Sequence, residues 1–430
     1  MTQDWPRPAF AWSVVAILSV ASLLSFLDRT ILQLLSQPIK TSLALSDTEL
    51  GLLQGAAFSI FYTAMIIPFG WVADHGNRIR MVFAGMIMWS LATAASGLAD
   101  GFWPLFVARV CVGIGEATLA ASAASLISDH FPAVRRTMPL SVYTLVASAG
   151  VGVGLVGGGA VADWLATGGA VTLPGFGPLA AWQVIFVAVG LPGVLWAFIL
   201  LAVPEPVRRE TLDGPNAVTW RALIAFLRLR GDIIVPHFFG YCFYNTFAYG
   251  GGGWLPTYFI RVHGWTVGEV GWRYGLPYLI FPVVGGVIAG WVARRLRDRG
   301  RVDADLLTVA CGNALMTVPG VMAPLIGNAW ISLMVVMPLI ALFVFPSGPS
   351  LAAIQDITPN RLRGRMTALY YAVTNLVGLS LGTLLIGLMN DRLFPEPDGV
   401  ARSIALLGAV MCPVGALIVY RGAVARRRMG

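Results

Sequence analysis

Four ionisable residues stand inside long apolar runs of this 430-residue chain: Asp28 and Arg29 in the first run, Arg109 and Glu116 in the fourth. Each such group costs at least about 2.5 to 3.5 kcal/mol in hydrocarbon, so its presence raises a functional hypothesis. On a helix, Arg109, Gly113 and Glu116 at i, i+4 and i+7 share one face, with Glu116 roughly 10 Å deeper than Arg109. Gly113 leaves room there for a neighbouring backbone or a bound group. The depths allow two pairings, Asp28 with Arg109 or Arg29 with Glu116. An arginine beside a carboxylate favours its charged form, so movement that separates the two would take up or release a proton. Asp28, Arg29, Arg109 and Glu116 are therefore candidates for a proton-coupling switch. The alternative is a structural ion pair tying the first and fourth helices.

The elements that must carry these residues show an internal duplication. Gly70-Trp71-Val72-Ala73-Asp74 recurs about 220 residues later as Gly290-Trp291-Val292-Ala293-Arg294. Asp129-His130-Phe131-Pro132, followed by Arg135 and Arg136, recurs about 227 residues later as Asp356-Ile357-Thr358-Pro359, followed by Arg361 and Arg363. Under these offsets Asp28 and Arg29 fall on Ala248 and Tyr249, Arg109 on Val336 and Glu116 on Phe343. The charged set thus belongs to one half. The other half offers Tyr241, Asn245 and Tyr249 at i, i+4 and i+8, with Tyr370, Tyr371, Thr374 and Asn375 in its fifth run. Of these, Tyr241, Asn245, Tyr249, Tyr370 and Asn375, with Phe343, are candidate substrate-cavity residues, ordinary packing being the alternative.

With 57% hydrophobic and 12% charged residues, the chain cannot hide its apolar surface in a water-soluble core. A membrane helix needs roughly 20 apolar residues, and twelve candidate spans fall six to each half. The sequence therefore predicts an all-α membrane protein with twelve transmembrane helices in two pseudo-symmetric six-helix bundles. The bundles are expected at 1–203 and 232–430, joined by a cytoplasmic linker, 204–231, with an amphipathic Trp220–Arg228 segment for the membrane interface. The first span is read as retained and not as a signal peptide. The net charge of +8 comes from arginines in short turns on one side and not from a nucleic-acid patch. The positive-inside rule places both termini in the cytoplasm. The four cysteines read as packing residues.

Other classes are disfavoured. No Gly-x-x-x-x-Gly-Lys-Ser/Thr motif occurs, and Lys40 is the one lysine, which argues against ATP-driven pumping. The four histidines, His75, His130, His237 and His263, are expected near span ends and far apart, so no enzyme, metal or cofactor is expected. A channel would pass solute regardless of Glu116, whereas a carrier would not.

Parallel six-helix repeats, basic turns and the Gly70-x-x-x-Asp74 ending followed by Arg78 together resemble the major facilitator superfamily. His75 stands where that family has a basic residue, and a glycine is shifted by one, so only Asp74 and Arg78 carry over, as a cytoplasmic gate. The resemblance implies two bundles rocking about a central cavity. A carboxylate at its own helix C-terminus is opposed by the dipole, so Asp74 needs Arg78 or the start of the eleventh helix near Met366 and Thr367. A static turn is the alternative. Phe26-Leu27-Asp28-Arg29, Arg109-x-x-x-Gly113-x-Gly115-Glu116-Ala117 and Ser128-Asp129-His130-Phe131-Pro132 are similar to the Spinster branch and its bacterial homologues. That resemblance implies alternating-access transport of an amphipathic lipid, a lysophospholipid or sphingoid phosphate, with a proton as the coupling ion. The alternative is proton-coupled import of a small organic or sugar acid. The expected setting is a monomer in a bacterial inner membrane. Helix 5 glycines (Gly150, Gly154, Gly158) and helix 8 glycines (Gly285, Gly286, Gly290) suggest close or sliding helix contacts.

Overall fold

The computed structural model describes residues 5–168, 171–173, 177–208 and 220–428. In chain order, the first half runs α1 (Pro8–Leu34), α2 (Ser36–Leu43), α3 (Asp47–Gln54), α4 (Ala56–His75), α5 (Arg78–Ser96), α6 (Phe102–His130) and α7 (Thr137–Gly168). A short antiparallel hairpin, β1 (Val171–Leu173) and β2 (Gly177–Leu179), precedes α8 (Ala181–Leu200). The second half runs α9 (Trp220–Leu229), α10 (Gly231–His263), α11 (Val267–Asp298), α12 (Ala304–Leu325), α13 (Ala329–Leu342), α14 (Ser347–Ile357), α15 (Arg363–Arg392) and α16 (Gly399–Arg427).

Eleven helical stretches are long and apolar enough to cross a membrane, α3 with α4 and α13 with α14 each making one. The remaining expected span is α10, which is 33 residues long. Its Tyr241, Tyr244, Asn245 and Tyr249 and the run Gly250 to Gly253 make it less apolar than the others. The paired helices break for local reasons. The Phe343–Pro346 stretch interrupts α13 and α14: Pro346 has no backbone N–H to donate, the Ser347 N–H turns to the Val344 carbonyl (3.0 Å), and the Phe343 carbonyl accepts the Tyr244 hydroxyl.

The chain forms two compact units. The first comprises Met1–Leu45, Ala57–Leu212 and Thr266–Leu276; the second comprises Ser46–Ala56, Asp213–Trp265 and Pro277–Gly430. In the first, the glycine stripe of α7, the fifth expected span, packs on α1: a Cβ on Gly150 would lie 2.8 Å from the Leu23 carbonyl, and one on Gly154 would lie 3.2 Å from the Leu27 backbone. Side chains at these positions would push the two backbones apart. In the second, α3 lies so close to α15 that a Cβ on Gly51 would sit 2.5 Å from the Thr383 carbonyl.

The duplication is written into the turns. After α6 and after α14 the chain makes one turn of 3-10 helix, Ala133–Arg135 and Asn360–Leu362. Arg136 Nε then donates to the Phe131 carbonyl (2.9 Å), and Arg363 Nε to the Thr358 carbonyl (3.2 Å). Equivalent arginines thus close equivalent turns in the two halves. At the other echo the charges are exchanged. Where the first copy has Asp74 and Arg78, the second has Arg294 and Asp298, which face each other at 3.9 Å on an exposed surface.

Candidate functional site

In the first unit, α1 and α6 bring together the charged residues singled out in the sequence. Glu116 is 2% exposed, and all of its hydrogen bonds fall on one oxygen. Glu116 Oε2 accepts from Ser25 Oγ (2.5 Å), Arg29 Nε (2.7 Å) and Arg29 Nη2 (2.5 Å), while Oε1 has no partner among the described residues. Of the two pairings allowed by depth, the chain forms Arg29 with Glu116. Asp28 makes no ion pair with Arg109 among the described residues; its Oδ2 accepts from Thr93 Oγ1 on α5 (3.0 Å). Arg109 is 1% exposed, and its Nε and Nη1 lack hydrogen-bond partners among the described residues. The Arg29 side chain keeps 24% of its surface exposed, whereas Arg109 keeps almost none.

Sequence reading missed the partners. Ser25 lies on α1 one turn before Arg29, on the same face, and could have been found by its spacing. Thr93 gave no signal, because only the packing of α5 brings it to Asp28. Aromatic rings complete the site. The Arg29 guanidinium lies 4.2 Å from the ring centre of Phe58, 5.0 Å from that of Tyr62 and 5.3 Å from that of Phe26. Arg109 lies 5.6 Å from the centre of the same Phe58 ring.

At the other end of α4, Asp74 and Arg78 do not pair. Asp74 is exposed and makes no side-chain hydrogen bond or ion pair among the described residues of its unit. Arg78 is 3% exposed and is held by Asp129 at the end of α6 (Nη1 to Oδ2, 2.7 Å) and by Glu205 (Nε to Oε1, 2.7 Å). Glu205 also accepts the Ile79 N–H (3.1 Å), capping the start of α5 where a negative charge suits the dipole. Arg208 donates to the Ala73 and Gly76 carbonyls (both 2.7 Å) and closes the end of α4. Of the two partners expected for Asp74, Arg78 is thus engaged elsewhere, by carboxylates more than fifty residues away in the chain.

In the second unit the candidate cavity residues divide by depth. Tyr241 (5% exposed) and Tyr370 (1%) are packed inside it. Tyr241 donates to Ser347 Oγ (3.3 Å), and the Tyr370 and Ser350 hydroxyls bond to each other. Asn245 donates to the Thr374 carbonyl (3.1 Å), a packing bond between α10 and α15. Tyr249 is 37% exposed and donates to Asn375 Oδ1 (3.4 Å), so this pair presents aromatic and amide surface. Phe343 is half-buried against Phe247.

His237, expected near a span end, is fully buried in α10, stacked on Tyr370 and hydrogen-bonded to Ser350. Arg261, in the last turn of α10, makes a two-pronged bond to Asp47 (2.5 and 2.7 Å), which Asn390 also contacts (2.9 Å). Asp303, in the turn before α12, shows how buried charge is managed near a span end. Burial by itself would push its carboxyl up, but hydrogen bonds from Arg301 (2.9 Å) and Arg427 (2.8 Å) outweigh it and hold the group below the ordinary carboxylate range. No group of three or more metal-ligating side chains occurs among the described residues.

Comparison with known proteins places these features in context. The model of the Major Facilitator Superfamily matches residues 18–383. An "MFS-type efflux pump" of Mycolicibacterium smegmatis is 28% identical, over 99% of this chain and 95% of its own. A hexuronate transporter of Bacillus subtilis is 24% identical over 88% of each chain. The sphingosine-1-phosphate transporter SPNS2 of Xenopus tropicalis is 34% identical, but over 37% of this chain and 32% of its own, so the match spans about a third of that relative. Among solved structures, a bacterial homologue of the human lysosomal transporter Spinster, inward-facing and unoccupied, superposes with a TM-score of 0.84. It is 24% identical and covers 98% of both chains, a likeness of fold.

Proposed function

Because this chain belongs to the Major Facilitator Superfamily and is an integral membrane secondary transporter, we propose that it moves an amphipathic lipid with a phosphate-bearing head group and links that movement to protonation of Glu116. The lipid class is that of lysophospholipids and sphingoid phosphates, the mechanism alternating access and the setting a bacterial inner membrane. The observation that carries the reading is the Arg29–Glu116 ion pair, buried in the first unit with only its arginine partly exposed.

While Glu116 is ionised, Arg29 is neutralised and offers little to an anion. Protonation cancels the carboxylate charge and leaves a desolvated guanidinium, whose planar donors suit a phosphate oxygen pair. Proton uptake and anion binding therefore reinforce each other. Asp28, bonded to Thr93, and Arg109 put a second carboxyl group and a second guanidinium in the same unit. The apolar surroundings favour an amphipath, since a small hydrophilic solute needs polar groups to replace its water. The SPNS2 relative is a lipid-phosphate transporter by name, which supports this reading.

A small organic or sugar acid remains the second reading, favoured by the hexuronate transporter relative. Purified protein in liposomes separates the two. Lysophospholipid or sphingosine phosphate is expected to move faster under a pH gradient, with the pH response flattened in Glu116→Gln and shifted in Asp28→Asn. A hexuronate that moves while neither lipid does would overturn the lipid assignment. An unchanged pH response in both variants would remove the proton role.

A further inference from the structure

We propose that Phe26, Phe58 and Tyr62 form an aromatic cage that holds the Arg29 guanidinium in place when Glu116 is neutral, so that the cation stays aimed at an anionic head group instead of relaxing away. The inference rests on the proton-linked reading above and adds the residues that make it work.

An arginine that loses its carboxylate in an apolar setting would ordinarily swing its long side chain toward water. Arg29 has a second set of contacts. Its guanidinium carbon lies within 4.2 Å of the Phe58 ring centre, 5.0 Å of Tyr62 and 5.3 Å of Phe26. Ring faces attract a guanidinium through their quadrupole, and this attraction is indifferent to the protonation of Glu116. The rings are also positioned independently of the charges. Phe58 and Tyr62 are one turn apart on α4 and stack on each other, with centroids 5.1 Å apart and planes inclined by 23°. Phe58 is 1% exposed, and its backbone is pressed on α6 at Gly113, where a Cβ would lie 2.5 Å from the Phe58 carbonyl. Helix packing therefore sets the cage, and the cage sets Arg29. Arg109 approaches the same Phe58 ring at 5.6 Å but is 1% exposed, so the ligand-facing position belongs to Arg29. These aromatics are positioning residues, since they act on the anion through Arg29.

The test is binding of sphingosine phosphate to the purified full-length protein over a pH series. Glu116→Gln is expected to bind tightly, with no pH dependence beyond that of the ligand's own phosphate, whose second ionisation lies at about pH 6. Phe58→Leu added to Glu116→Gln is expected to weaken binding about tenfold, with Phe58→Tyr restoring it. Phe58→Leu by itself is expected to change affinity little while the carboxylate is ionised and holds Arg29, and more once that carboxylate is neutral. Tyr62→Leu set against Tyr62→Phe, which keeps the ring and loses the hydroxyl that also bonds Arg29, gives the comparison at a less buried ring if Phe58→Leu does not fold. Equal affinity of Glu116→Gln with and without Phe58→Leu would overturn the cage, as would failure of Phe58→Tyr to restore binding. Absence of binding by Glu116→Gln at every pH would overturn the anion reading and the cage with it.

Discussion

Glu116 concentrates every partner among the described residues on one oxygen and leaves the other without one, so the carboxyl has a place to receive a proton without first breaking its bonds to Ser25 and Arg29. Arg78 is the opposite case, with carboxylates on two sides and almost no exposure. The contrast gives a prediction. Arg78→Ala leaves Asp129 and Glu205 without their shared cation and is expected to cost about 3 to 5 kcal/mol, read as a large fall in thermal unfolding temperature. Asp74→Asn, at an exposed and unbonded side chain, should change stability by less than about 0.5 kcal/mol. Equal losses in the two variants would mean that Asp74 is held by a contact as strong as those of Arg78. Spacing along the chain narrowed the intramembrane charges to two possible pairings and was silent on Thr93 and Glu205, which come from elsewhere in the chain.

Helix contacts set the distances on which this chemistry depends. Gly113 was readable from spacing as a gap between Arg109 and Glu116, and the gap is filled by the α4 backbone at Phe58. Gly113→Ala would put a methyl 2.5 Å from the Phe58 carbonyl, and because the obstacle is backbone the helices must separate. Such overpacking costs about 1 to 3 kcal/mol. The expected result is a lower unfolding temperature together with an altered pH response of transport, since Phe58 moves with α4. A full-stability variant with unaltered transport would show that α4 can shift freely there. The helix-5 glycines Gly150, Gly154 and Gly158, which suggested a close or sliding contact, seat α7 on α1. Their spacing announced close packing, but glycines carry no mark of which neighbour they admit.

For the whole chain, arginine-rich turns predict that both termini and the turn at Arg78 lie on one side of the membrane. In a cysteine-free background, single cysteines at Arg7 and Arg428 should react with an impermeant maleimide in inside-out vesicles and be protected in right-side-out ones. Labelling of the two ends from opposite sides would break the even count of spans. Membrane class, twofold repetition and the approximate spans were legible because hydropathy and repeated motifs are local properties, readable one segment at a time. The span that falls short, α10, does so because tyrosines, an asparagine and glycines replace aliphatic residues along it. Depth within a unit was not legible: Tyr241 and Tyr249 belong to one i, i+4, i+8 series, yet one is buried against Ser347 and the other faces outward beside Asn375. Partner choice was equally hidden, with Arg261 reaching back to Asp47 and Arg78 reaching on to Glu205. Ion pairs form between groups that folding brings within a few ångströms, and separation along a chain does not encode that distance.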